Sequence, residues 1–186
     1  MNNQILDDEL TKEQKEVVYA SFTKRLSAAI IDTLILIPFI LLSYYNMFSI
    51  KSYPLAVLAT FGFAFYQPFM ETQYQATIGK MIMKIKVLTE DFKRADLGTI
   101  IVRNSLYLIS AALSASSMWF LYQNPEFVEI DSWAEFASFV GNQKENSIEG
   151  MFTWVTFFSC LMVAYTRKNQ ALHDKMAKTV VILTEV

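Results

Sequence analysis

Four apolar runs set the limits on what this chain can fold into. They are Leu26–Asn46, Tyr53–Glu71, Ser105–Tyr122 and Met151–Thr166. Each approaches the ~20 residues that cross a ~30 Å hydrocarbon core at 1.5 Å per residue. A length of 186 residues would suit one soluble domain, but the clustering of apolar residues argues against that. The expected fold is all-α and polytopic, with four transmembrane helices.

Basic residues orient the spans. Of the 16 Lys and Arg, fourteen lie before the first run, between the second and third, or after the fourth. Only Lys51 and Lys144 lie on the other side. The positive-inside rule then places both termini and the middle loop in the cytoplasm. An even number of spans is needed for this, which is the argument for counting the short fourth run. The first 20 residues are charged and lack a signal-peptide core, so the first span reads as an uncleaved signal-anchor. Residues 1–22 form a cytoplasmic arm, with Thr11-x-x-Gln14 as a weak capping box.

The cytoplasmic loop at 72–102 has a strand-like part. Met81, Met83, Ile85 and Val87 alternate with Lys84 and Lys86. The tail TVVILT at 179–184 is β-branched. The two are expected to pair as a small cytoplasmic β element; a surface helix with its lysines on anionic lipid is the alternative for the first. Asp96–Thr99 leads into a helix with Arg103 at its membrane mouth. Pro68 is placed to end or kink the second span. The outer loop at 123–150 is acidic, and Phe127, Ile130, Trp133, Phe136 and Val140 recur at helical spacing. This predicts an amphipathic helix on the outer interface. No sequence repeat is evident.

Several classes are disfavoured. A net charge of −2 predicts no nucleic-acid partner. The single cysteine, Cys160, excludes an intrachain disulfide framework. There is no nucleotide-binding fingerprint. One cysteine and one histidine, His173, on distant segments make a poor metal set or nucleophilic pair. No cofactor, metal or enzymatic activity is expected.

The ionisable residues are more telling. Asp32 sits inside the first run, where a carboxylate costs roughly 2.5–3.5 kcal/mol near a helix centre. By the helical rise it lies about 10 Å in from Leu26, in the cytoplasmic half. Such groups face a bundle interior or a wet cavity and have partners. Arg25 is seven residues earlier, on the same helical face and about 10.5 Å away along the axis. Arg103, Lys80, Glu71 and the His173-Asp174 pair are further members at similar depth. Two readings stay open: a buried pair that fixes helix register, or a proton or cation relay, since a paired carboxylate in low dielectric can titrate near neutral pH.

At these residues the chain resembles the RDD family of bacterial membrane proteins, from about Thr23 to Val181. The resemblance rests on Arg25-Leu26-x-Ala28-x-x-Ile31-Asp32, Glu71, Thr77-x-Gly79-Lys80, Leu97-Gly98, Arg103-Asn104 and Leu172-His173-Asp174-x-x-Ala177-x-Thr179-Val180-Val181. It implies that Arg25, Asp32 and Asp174 are signature residues. The family's tail usually has glycine where this chain has Lys178, which puts the turn before the last strand in question. The long acidic outer loop is an elaboration of this chain. For activity the resemblance implies transport, some members being similar to sodium–proton antiporters.

Two functional expectations follow. One is a small ion transporter or ion-coupled permease of the bacterial inner membrane, taking Na+ or H+ and working as a homo-oligomer, with Arg25, Asp32, Glu71, Arg103 and Asp174 as ion-binding or relay residues. Thr77, Gly79, Lys80, Asn104 and His173 then form its structural motif. The other is a non-transporting scaffold that binds a partner membrane protein.

Overall fold

The computed structural model describes residues 18–142 and 162–184. Helix α1 spans Phe22–Tyr45 and continues as a π turn, Asn46–Ile50. Ser21 caps it: its hydroxyl accepts from the Lys24 amide at 3.4 Å, satisfying one of the amides left open in a first turn. Helix α2 spans Tyr53–Tyr74 and runs through Pro68 rather than ending there. Next come α3, Ile78–Ile82, and strand β1, Ile85–Thr89. Helix α4 spans Leu97–Gln123, with the Asp96 carboxylate accepting from the Thr99 amide at 3.1 Å. The outer segment holds α5, Pro125–Val128, and α6, Trp133–Asn142. After a 3-10 turn at Met162–Tyr165 come α7, Leu172–Met176, and β2, Thr179–Leu183.

Among the described residues two helical stretches are long and apolar enough to cross a membrane, Phe22–Ile50 and Leu97–Gln123. Helix α2 has the length but carries Gln67, Glu71 and Gln73 in its last two turns. The fourth apolar run lies outside the described residues except for its end. So does Thr11-x-x-Gln14.

Helices α2 and α4 pack antiparallel. At one end the Tyr53 ring meets Trp119 at 5.2 Å and Tyr122 at 6.1 Å. At the other end Glu71 meets Arg103. Helix α1 is pinned at both ends. At its C-terminal end, buried Asn46 donates to Tyr122 Oη at 3.2 Å and to the Ser52 carbonyl at 3.1 Å, and accepts from the Ser52 amide at 3.1 Å. Nearer its N-terminal end it lies against α3.

The expected strand pairing is present. β1 and β2 are antiparallel, with Val87 opposite Val181. Residues 81 and 82 are helical, so the strand is shorter than the alternation suggested. Ile85 and Val87 join Val181, Ala28 and Ile100 in one buried apolar cluster. Lys178 keeps the final turn despite the missing glycine, adopting a left-handed backbone with φ 50°. The outer periodicity marks two helices rather than one: the chain breaks at Glu129–Ser132, and Phe127 and Ile130 bury against Phe48. Lys51, also left-handed, ties this cap down by donating to the Val128 carbonyl at 2.5 Å and to Asp131 at 2.9 Å.

Candidate functional site

The charges read from the sequence converge on one end of the bundle, beside the two-stranded sheet, but not in the expected pairs. Arg25 does not pair with Asp32. Its Nη1 donates to Asp174 Oδ2 at 2.5 Å. Arg103 is 2% exposed and sits at the centre of the cluster, in the second turn of α4. Its Nε donates to Glu71 Oε2 at 3.1 Å, and its Nη1 reaches Asp174 Oδ1 and, at 2.7 Å, Thr179 Oγ1. Lys80 donates to the other Glu71 oxygen. Gln67 Nε2 at 3.2 Å and Asn104 Nδ2 at 3.3 Å complete the shell of Glu71. Arg25, Asp174, Arg103, Glu71 and Lys80 thus form one continuous ionic chain, with both carboxylates fully buried.

Such a network is worth having only when each buried charge is matched. Desolvation costs several kcal/mol per ion and is recovered only through good geometry and further hydrogen bonds. Here the shell is dense. Asp174 also accepts from the Ala171 amide at 3.0 Å, capping the helix it belongs to. Thr179 Oγ1 accepts from Arg103 Nη1 and donates to the Asp174 carbonyl at 3.3 Å.

Asp32 stands apart. It accepts from Tyr66 Oη at 2.9 Å, Thr77 Oγ1 at 2.6 Å and the Gly79 amide at 2.8 Å. All three donors are neutral. Tyr66 in turn accepts from the Ile78 amide at 3.3 Å, and Thr77 from the Lys80 amide at 3.4 Å. Neither Lys80 nor Arg103 bonds to it. The described residues bound a cavity of about 380 Å³ here, lined by Asp32, Tyr66, Lys80, His173, Leu26 and Phe63 among others.

His173 flanks the ionic chain, its Nε2 3.4 Å from Asp174 Oδ1 and its ring 6.4 Å from Tyr107. Burial, then the nearby Arg103 charge, pushes its pKa down to about 4, so the imidazole is neutral at pH 7. Burial opposes ionisation of Asp174, yet Arg103 and then Arg25 hold its carboxyl well below the usual range. The sign for stability is the same for both groups. Between pH ~6.5 and 4 the unfolded chain takes up a proton at His173 that the folded protein refuses, so stability falls as pH falls. The expected loss is about 3 kcal/mol over that window. Asp174 adds to it only below pH ~4, where unfolded aspartate protonates. Thermal melts of the detergent-solubilised protein from pH 7 to 4 check this, and His173→Gln should flatten that limb.

Of the residues singled out from sequence, Arg25, Glu71, Lys80, Arg103, Asn104 and Asp174 meet in one network, while Asp32, Thr77 and Gly79 meet in another. Tyr66 and Gln67 were missed, and Thr179 was read only as part of the tail motif. A tyrosine and a glutamine about one turn from Glu71 on an otherwise apolar helix were the available signal for the first two.

A membrane-associated helical bundle with a buried Arg–Asp–Glu network at one end defines the class. A family model described as the RDD family matches residues 19–178, and the chain belongs to that family. No curated protein and no solved structure matches it.

Proposed function

We propose that the chain is a small ion transporter or ion-coupled permease of the bacterial inner membrane, with both termini in the cytoplasm, and that Asp32 is its exchangeable site. One observation carries this reading: Asp32 borders a cavity and is held by three neutral donors. Glu71 and Asp174 are neutralised by fixed cations, so they serve as framework. Asp32 keeps one open acceptor position, on Oδ2, that a proton or Na+ can take. Occupancy there would neutralise the charge to which Tyr66, Thr77 and the Gly79 amide donate and so weaken the hold of α3 on α1, linking occupancy to shape. The protein acts without enzymatic chemistry. Four short spans enclose little volume, which favours a homo-oligomer.

The test is flux in liposomes carrying a Na+ or pH gradient. Wild type should carry flux and Asp32→Asn should reduce it at least tenfold. Equal flux from the variant sinks the proposal.

The saturated ionic chain favours a second reading, a scaffold that binds a partner membrane protein. Wild type then shows no flux, Asp32→Asn lowers folded yield only, and a partner co-purifies under mild extraction.

A further inference from the structure

The two cytoplasmic helix–turn–strand segments superpose residue for residue at an offset of 94. Helices α3 and α7 have five residues each, as do β1 and β2. The residue before each helix has the same backbone: φ −75° and ψ 170° at Thr77, φ −74° and ψ 172° at Ala171. So does the residue after it, with φ −79° and ψ 2° at Met83 and φ −90° and ψ 1° at Ala177. Four left-handed residues fall on matching positions, Gln75 with Asn169 and Lys84 with Lys178. Left-handed residues other than glycine are a few per cent of a typical chain, so two matched pairs are unlikely to arise separately.

The contacts between the segments match as well. The Thr184 amide donates to the Lys84 carbonyl at 2.9 Å, and the Glu90 amide donates to the Lys178 carbonyl at 2.9 Å. In the sheet, Val87 faces Val181, its own counterpart, so a local two-fold axis passes through that pair. Over the fifteen positions 75–89 and 169–183, only Lys84/Lys178 and Val87/Val181 are identical. The repeat survives in backbone and not in side chains.

The side chains have diverged where they meet α1. The first copy presents the Thr77 hydroxyl and the Gly79 amide, and these hold the Asp32 carboxylate. At the matching positions the second copy has Ala171 and His173, and its Asp174 holds the Arg25 guanidinium. We infer that α1 is a staple between two copies of one clip, gripped by the first through an anion and by the second through a cation. The seven-residue spacing of Arg25 and Asp32 sets two grips about 10.5 Å apart along one helix face. Both are positioning residues in this respect, whether or not the protein moves ions.

Separated grips have a thermodynamic signature. Effects of distant sites with no shared partner add, whereas effects within one contact do not. The experiment measures melting temperatures of the full-length protein in detergent for Arg25→Gln, Asp32→Asn and the double variant. The two shifts should add to within about 1 °C, while Arg25→Gln combined with Asp174→Asn should fall well short of additivity. A double variant of Arg25 and Asp32 no less stable than the worse single variant overturns the staple. If Asp32→Asn does not fold, Thr77→Val removes one donor from the same grip and replaces it in the cycle. The copy relationship has its own readout. Lys84→Gly and Lys178→Gly relieve the same left-handed backbone and should raise the melting temperature by similar amounts, about 1–3 °C. Met83→Gly and Ala177→Gly should lower it. A fall on Lys178→Gly with a rise on Lys84→Gly overturns the equivalence of the two clips.

Discussion

Arg103→Gln lowers stability by about 3–5 kcal/mol, the range for removing one partner of a buried ion pair. Arg103 is the junction at which both carboxylates meet. Its Nε serves Glu71, and its Nη1 serves Asp174 and Thr179. Without it Glu71 keeps Lys80, and Asp174 keeps Arg25, but the two halves of the network lose their connection. Each carboxylate then stays fully buried with less compensation. Glutamine preserves much of the length and some donors but supplies no charge. Lysine supplies charge without the planar fork that reaches three acceptors in two directions, so Arg103→Lys should recover less than half of the loss. Melts in mild detergent, with size exclusion to separate misfolding from aggregation, check both values. A loss below about 1 kcal/mol, the range of an exposed pair, would mean that the network is not the framework described above.

Two of the apolar runs were legible as the long helices Phe22–Ile50 and Leu97–Gln123 because their signal is dense. The β element was legible in part: alternation from Met81 and the β-branched tail at 179–184 pointed to pairing, and a surface helix, the alternative for the first, was realised only at 78–82. The outer cap was half legible: periodicity located Phe127, Ile130 and Phe136, but no pattern marks the break at Glu129–Ser132 that turns one helix into two. The ionic residues stood out as charges in or beside apolar runs, and their meeting at one end followed from topology. Their partners did not follow. Helical spacing states which residues share a face, and Arg25 and Asp32 do. It does not state what faces them, and here two different segments do, one bringing donors and the other a carboxylate. The duplication was hidden for a related reason. It resides in backbone angles at Gln75, Lys84, Asn169 and Lys178, where none of the four is the glycine that would have advertised it.

Gly79→Ala is expected to be the most damaging glycine-to-alanine change among the described residues. A Cβ at position 79 would lie 2.1 Å from the Ala28 carbonyl oxygen and 2.9 Å from Asp32 Cγ. The first obstacle is backbone, so no side-chain rotation relieves it. Helix α1 must move away from α3 by more than 1 Å to restore van der Waals contact. That movement stretches the 2.8 Å bond from the Gly79 amide and the 2.6 Å bond from Thr77 to Asp32. The steric cost, about 1–3 kcal/mol for overpacking, is thus joined by a carboxylate that loses its donors. The glycine is needed here for space rather than for an unusual φ, since no glycine among the described residues has a positive one. Gly62 supplies the control: a Cβ there meets nothing within 4 Å, and Gly62→Ala in the middle of α2 should gain about 0.5–1 kcal/mol. Paired melts of the two variants separate the effects, and a Gly79→Ala protein as stable as wild type would show that α1 does not rest on α3 in the membrane. If Asp32 is the exchangeable site, the same variant should also lose flux, because the methyl group displaces the helix that carries the carboxylate. Flux kept at the wild-type level with stability lost would instead leave the α1–α3 contact a purely structural one.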